Sequence, residues 1–446
     1  MKKIYRRVLL FSSMVVFLAT APLAILYAVG YRASINNVDP LPVGVVLLDT
    51  KPRKALVSAR DREYGKTPTS VPNLSPGPVE IKIALTGYRE WKKTLMVESG
   101  RATEVRDVVL IPETIKQASI AEGVEKYALS PNRQLLAVVY KNNQVAILGP
   151  SGEAVAGPVK AVGRLQNIIW SPHNDALVLK AADNTYWTYH ISKPDTVVRV
   201  AALSGAKDVV WDSQTPGRLL VLTTTGELQA YVPALNKKAL LAKEVASFTV
   251  NGRMVYVVDN NHVLNAYTLQ GSLVQEKMAQ LERPVLELKA VNNEKVLLLE
   301  DNGLLQLVMP NQPLITISSN VKDASWSPDE RLIYVVSNQN ELYVYNANDE
   351  RYHQPVQELR LITRLSRPIV ATQWFAGSRH LIYQIGDELW ITEIDTRDHP
   401  IAYQIDTTNE GNTQPAVGMD GEAIFYIKRA QTGRHDLVTA QLVVKE

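Results

Sequence analysis

The sequence predicts an all-β protein behind one N-terminal transmembrane helix: a small β-sandwich comes first, then an eight-bladed β-propeller. Three observations carry that prediction. A run of 22 uncharged residues follows four cations at the N-terminus. Next come about 70 residues of short apolar stretches separated by Gly/Pro turns. A unit of about 40 residues then recurs to the C-terminus. At 446 residues the chain has room for two or more folded units. Its 46 % hydrophobic and 21 % charged composition is globular. There is no cysteine, which excludes a disulfide scaffold, a thiolate metal site, a cysteine nucleophile and a lipid-modified N-terminal cysteine.

The helix is expected from its residues. Lys2, Lys3, Arg6 and Arg7 precede the run at 8–29, VLLFSSMVVFLATAPLAILYAV. As a helix this run extends about 33 Å, enough for a hydrocarbon core about 30 Å thick. Ser12, Ser13 and Thr20 can bond back to helix carbonyls, and membranes tolerate a proline such as Pro22. Four cations before the run and Arg32 after it place residues 1–7 in the cytoplasm, with 8–29 as a single-pass signal anchor. The bulk of the chain would then be extracellular or periplasmic. The alternative is a cleaved signal peptide with Ala28-Val29-Gly30 as an imperfect cleavage site, whose apolar core would be about 7–15 residues. The formal net charge of +3 belongs to this terminus, because residues 32–446 carry 44 basic against 45 acidic residues. With no basic stripe interleaved with aromatics, nucleic acid is not an expected partner.

A linker at 30–42 leads to a small domain at 43–112. Short strands are expected at 43–48, 55–58, 79–85, 91–97 and 105–111. Val79, Ile81, Ile83 and Leu85 alternate with Glu80, Lys82 and Ala84, the period of a strand with one buried face. In order come Gly44-Val45-Val46, the Lys51-Pro52 turn, Gly65-Lys66-Thr67-Pro68, Ser75-Pro76-Gly77-Pro78-Val79, Gly87-Tyr88 and a strand closing at Leu110. That order and spacing resembles the PEGA domain, a small β-sandwich common in bacterial surface proteins. The sequence departs from the family at 55–65, ALVSARDREYG, where the second hairpin usually carries a small residue and Asp-Gly. Gly77, Gly87 and Tyr88 read as turn and corner residues rather than ligand contacts. Twelve Lys/Arg against eight Asp/Glu at 40–112 would favour anionic headgroups or wall polymers, by about 1 kcal/mol per cation at the surface. An ordinary solvated surface is the alternative.

From about residue 127 eight periodic units run through 113–446. Their equivalent turn positions are Ser130, Ser171, Asp212, Asn251, Asn292, Ser327, Ala376 and Met419, spaced 41, 41, 39, 41, 35, 49 and 43 apart. A strand ending in an aromatic such as Trp170, Trp211, Trp326 or Trp374 precedes a polar turn and an apolar strand. A second turn, such as Asp301-Asn302-Gly303, leads to a third strand, and a fourth fits the gap before the next unit. Four antiparallel strands every 40 or so residues make a propeller blade, whose neighbours supply the core it cannot bury alone. Eight blades are expected, or seven if the last unit only completes the ring. Trp326-Ser327-Pro328-Asp329, with Leu332-Ile333-Tyr334 and Leu342-Tyr343-Val344-Tyr345, resembles the TolB-like, WD-repeat-like propeller repeat. That resemblance implies protein partners. Pro131, Pro172 and Pro328 follow Ser or a turn residue and read as geometry.

Signatures of chemistry are sparse. There is no Gly-x-Ser-x-Gly elbow, phosphate-binding glycine loop, dinucleotide fingerprint or His-Glu-x-x-His. His173, His190, His262, His353, His380, His399 and His435 are isolated in sequence. Asp259-Asn260-Asn261-His262, Asp183-Asn184 and Asp301-Asn302-Gly303 lack the alternating acids of a calcium loop and read as hairpin turns. The tryptophans sit in turns rather than in the docking motifs of eight-bladed quinoprotein dehydrogenases. No catalytic, cofactor-binding or metal-binding residue is therefore assigned, no cofactor is expected, and the ligand-binding residues stay open. The expected function is a membrane-anchored binding or scaffold protein of the cell envelope, presenting its propeller to an envelope protein or a cell-wall polysaccharide. The alternative is an enzyme acting on cell-wall glycan at the propeller axis, which would need two suitably spaced carboxylates.

Overall fold

The structure is a computed structural model and describes residues 3–28, 31–34, 37–160, 163–291, 294–350, 353–375, 377–411, 413–419 and 421–443. It divides into two compact units. One contains Met1–Ile115, Asp395–Ile401 and Leu442–Glu446, and the other Lys116–Ile394 and Ala402–Gln441.

The first unit begins with a helix, Lys3–Ala28, that contains Pro22. Ser12, Ser13 and Thr20 donate their hydroxyls to the carbonyls of Leu9, Leu10 and Val16 at 3.0, 2.9 and 2.9 Å, so the polar interruptions are absorbed by the helix itself. Among the described residues no helix is long and apolar enough to cross a membrane. Val29 and Gly30, which the span and cleavage readings both use, lie outside the described residues. The expected linker instead pairs with itself: strands Tyr31–Ser34 and Asn37–Pro42 are antiparallel, with Tyr31 opposite Pro42.

Two further sheets of this unit share one core. Strands Thr69–Leu74, Gly44–Lys51 and Ala102–Val109 form one, and Arg62–Lys66, Leu56–Ala59, Gly77–Ala84 and Trp91–Val97 form the other. Val79, Ile81 and Ile83 are buried as their alternation predicts, against Val46, Val57, Val71 and Leu95. A Cβ on Gly44 would run into the Glu98 carbonyl and the Val97 side chain, which is why that opening strand starts with glycine. The unusual hairpin at 55–65 closes through Arg60 and Asp61, at φ 49° and 59°, the two left-handed positions of a tight strand turn. Strands Arg62–Lys66 and Thr69–Leu74, absent from the sequence expectation, flank the Thr67-Pro68 bend. Thr67 lies there with its hydroxyl 2.6 Å from that of Thr50, and both are buried.

Lys93 breaks the rule that charges face water. It lies on the inward row of Trp91–Val97 and is fully buried. Its Nζ donates to the Asp395 carbonyl at 2.8 Å, and the Thr94 N–H donates to Asp398 Oδ2 at 2.9 Å.

The second unit contains, among the described residues, eight four-stranded antiparallel sheets. Sheets one to seven are each contiguous in sequence, beginning with Val124–Leu129, Leu165–Trp170, Ala206–Trp211, Val245–Asn251, Val285–Val291, Val321–Trp326 and Ile369–Trp374. The eighth is composite. Ala416–Val417, Ala423–Arg429 and His435–Gln441 come from the last periodic unit, and Lys116–Glu122 from the chain before the first. Ser130, Ser171, Asp212 and Ser327 sit in the first turn of their sheets, while Asn292 and Ala376 lie outside the described residues. No sheet keeps a core to itself. Leu177, Leu179 and Tyr189 of the second sheet cluster with Val139 and Ile147 of the first, and the pattern repeats between the sixth and seventh.

Candidate functional site

The opening strand of each sheet faces the middle of the ring, and its sequence explains how. In all of sheets one to seven this strand loses register between its first and third residues, as at Val124/Lys126, Ala206/Asp208 and Val321/Asp323. Such bulges bend a strand and re-aim its side chains. An opening strand also has one unpaired edge, and long side chains cap it. Lys126, Lys207, Lys289 and Lys322 each donate to a main-chain carbonyl of the next sheet (Gln166, Ala246, Ala324 and Ile369) at 2.7 Å. In the opposite direction the indole N–H groups of Trp170, Trp211 and Trp374 donate to Ala128, Ile169 and Ser325 at 3.0 Å. In these three sheets the tryptophan is thus a stitch to the preceding sheet, whereas the buried indole N–H of Trp326 makes no such bond.

The eighth sheet departs from this plan. Its opening strand, Ala416–Val417, has two residues where the others have six or seven, and Pro415 before it has no N–H to pair. An axial cavity of about 680 Å³ opens against that short strand. It is lined by 127–131 and Arg133 of the first sheet, Lys289 of the fifth, Asp323, Ser325 and Tyr334 of the sixth, 370–374 of the seventh and 414–417 of the eighth.

Several polar groups of this lining are engaged, whereas the buried Thr372 hydroxyl has no hydrogen-bond partner among the described residues. Lys289 Nζ, besides its bond to Ala324, lies 2.8 Å from Glu287. The Tyr334 hydroxyl lies 3.1 Å from both Asp323 Oδ2 and the Thr372 carbonyl. Burial, then the Asp323 charge, hold the Tyr334 phenol well above its ordinary value, and burial does the same to Tyr127. Both phenols are therefore neutral hydrogen-bonding groups rather than bases. The Tyr127 hydroxyl lies 2.7 Å from the carbonyls of Gln414 and Phe425. Gln373 is exposed to the cavity. Among the described residues that line it, Asp323 carries the one carboxylate. Such a surface presents hydroxyl, amide and main-chain groups, suited to holding a polar ligand or peptide by shape and hydrogen bonds.

Ser130, Pro131 and Trp374, read in the sequence as turn and strand-end residues, line this cavity, while the acidic turns and the histidines singled out lie elsewhere. Asp259 accepts from the N–H groups of Asn261 and Val263 at 2.8 and 2.9 Å, and Asp183 from Thr185, so both are hairpin turns. Asn302 accepts from the Leu304 N–H at 2.9 Å, and a Cβ on Gly303, at φ +82°, would press on the Val321 backbone. His435 pairs with Glu410 and His399 with Asp398. Among the described residues no group of three His, Cys, Asp or Glu side chains is arranged to hold a metal. The cavity residues escaped the sequence reading, although one signal was there. Lys207-Asp208 and Lys322-Asp323 stand in the same place before Trp211 and Trp326, an acid–base pair inside an otherwise apolar strand.

Comparison with known proteins bears on both units. Residues 43–110 match the PEGA domain model, in agreement with the turn pattern. No match is found among the curated proteins. Among solved structures the chain is similar to the C-terminal WD40 domain of Sif2, at TM-score 0.52 and 10 % identity over 74 % of this chain and 99 % of that one. It is also similar to a structure described as the eukaryotic initiation factor, at 0.51 and 13 % over 73 % and 87 %. Oligogalacturonate lyase in complex with manganese follows at 0.43 and 9 % over 74 % and 98 %. The first two establish the β-propeller fold, and fold alone does not name a ligand.

Proposed function

We propose that this chain is a membrane-anchored binding or scaffold protein of the cell envelope that holds an eight-bladed propeller outside the cytoplasm. The observation that carries the reading is the lining of the axial cavity, where hydroxyl, amide and main-chain groups accompany Arg133 and surround Lys289 and Asp323, both of which are already bonded. Such a surface recognises a partner without transforming it. Glycan hydrolysis needs a second carboxylate facing Asp323, and none of the described lining residues supplies one. Eight four-stranded sheets support the blade number. The basic residues at 1–7 and the uncharged run at 8–29 support an anchor with its N-terminus in the cytoplasm. The matched PEGA module supports a place in the envelope. The partner is another envelope protein or a cell-wall polysaccharide engaged at the axis. Nucleic acid is disfavoured by the net −5 of residues 113–446.

The test compares full-length protein with Gln373→Arg, which fills the cavity, after cross-linking in membranes. An envelope protein or wall fragment should co-purify with the first and be lost from the second. Recovery of nothing from either, or release of glycan fragments that stops in Asp323→Asn, would overturn the reading. The anchor is tested by an alkaline carbonate wash, which should leave the protein in the membrane fraction and release a variant lacking residues 8–29.

A further inference from the structure

A second concave surface lies on the rim of the ring, between the second and third sheets. The outermost strand of the second sheet, Val197–Arg199, runs into a short 3-10 turn, Ala201–Leu203, and faces another, Pro233–Leu235, of the third sheet. Between them is a groove of about 400 Å³. Its cationic lining residues are Lys193 and Arg199, with His190 beside them, and among the described residues that line it there is no carboxylate. Lys238 lies just beyond, its Nζ 5.7 Å from the Tyr231 ring. Over 190–199 and 231–238 there are four Lys/Arg and a single acid, Asp195, within a segment, 113–446, that is net −5, and Asp183 lies near enough to Arg199 to feel its charge. A cationic patch on an acidic ring is a local exception that general solubility does not explain.

The groove is also apolar. Val198 is 53 % exposed and Leu235, at its margin, 73 %, large aliphatic side chains left uncovered beside the cations. Three features choose among anionic occupants. Tyr231 is 4 % exposed, so the groove has no open aromatic face on which a sugar ring could stack. The surface is concave, which suits an inserted chain better than a flat lipid headgroup layer. Val197–Arg199 is the last strand of its sheet, and its outer edge is free to take another strand.

We propose that this groove docks an extended peptide segment of a partner protein in which acidic residues alternate with large apolar ones. The acids meet Lys193 and Arg199, the apolar side chains cover Val198, and the peptide backbone pairs with the free strand edge. The inference rests on reading the chain as a binding protein, but it uses a surface separate from the axial cavity.

The probe is a fluorescein-labelled peptide of alternating Glu and Val, titrated by anisotropy against the full-length protein in neutral detergent. Binding should weaken at least tenfold in Lys193→Glu/Arg199→Glu, return in Lys193→Arg/Arg199→Lys, and weaken several-fold in Val198→Ser, which leaves every charge in place. No peptide binding, equal binding by the charge-reversed protein, or equal binding of a Lys/Val peptide overturns the proposal. So does charge-dependent binding of polygalacturonate or phosphatidylglycerol vesicles in place of the peptide, which would assign the groove to a polysaccharide or a membrane. A partner captured at the axis in a Gln373-dependent way, with the peptide unbound, sinks the groove and leaves the binding function standing.

Discussion

In the small unit Val46, Val57, Ile81, Leu95 and their neighbours come from two facing sheets and close one core between them. In the ring the accounting is different. Leu332 and Val344 of the sixth sheet are buried only because Trp374 and Leu381 of the seventh lie against them, and each sheet depends in this way on the next. A sandwich of this kind satisfies itself, whereas a ring is satisfied only when every member is present, the last one included. The polar stitching follows the same division. In the ring, lysines and tryptophans bond from one sheet to the next, while the small unit's Thr50–Thr67 hydroxyl pair stays inside its own module.

The harshest way to break this contrast is to end the chain at residue 430. That removes His435–Gln441, the strand that pairs with Lys116–Glu122. Calorimetry should then show no cooperative transition from the ring and a retained but lowered one from the small unit, which loses Leu442–Glu446 and the hold of Asp395 on Lys93. A truncated ring that melts like the intact one would mean that its sheets are independent after all. Alkali sharpens the contrast next. Burial pushes the Tyr256 and Tyr383 phenols up to about 12, and Tyr127, Tyr334 and Tyr426 are also raised by burial. Unfolded tyrosine titrates near about 10, so the folded ring favours the protonated phenols. This contribution is complete below pH about 10 and is lost as the pH rises through the folded values. The melting temperature of the ring should fall above pH about 10, with the 295 nm phenolate absorbance of the buried tyrosines appearing as a step that coincides with unfolding. Trp374→Ala removes a buried side chain from a core that two sheets share, and should cost about 3–5 kcal/mol by urea titration. An effect confined to the seventh sheet in hydrogen exchange would break the comparison. The smallest effect belongs to the self-contained unit. Lys93→Ala loses a buried charge-assisted hydrogen bond and should cost about 2 kcal/mol, while Lys93→Met, which keeps the apolar stem, should cost less.

Local pattern made most of the architecture legible. Trp170, Trp211, Trp326 and Trp374 announce strand ends because the indole fills the core, and in Trp170, Trp211 and Trp374 it is a stitch as well; the alternation of Val79, Ile81 and Ile83 announces a half-buried strand. Features that depend on distant partners were not legible. Lys116–Glu122 reads as polar and unremarkable until it meets a strand about 320 residues later. Lys93 looks like an ordinary surface lysine because its acceptor, Asp395, is 302 positions away. Arg62–Lys66 and Thr69–Leu74 hide behind Gly65 and Pro68, which punctuate like turns. The cavity was invisible for another reason: it arises from the shortness of Ala416–Val417, a strand too brief to leave a period.

A composite eighth sheet has a temporal consequence. Ribosomes deliver Lys116–Glu122 about 320 residues before its partner strand, so at roughly 5–20 residues per second the nascent chain spends roughly 15–60 s with an open ring. Throughout that interval a growing row of blades exposes an uncovered face at each end, the situation in which chaperones are recruited and neighbouring chains tangle. Because the ring locks only once His435–Gln441 has emerged, the polypeptide also stays threadable until that strand is made.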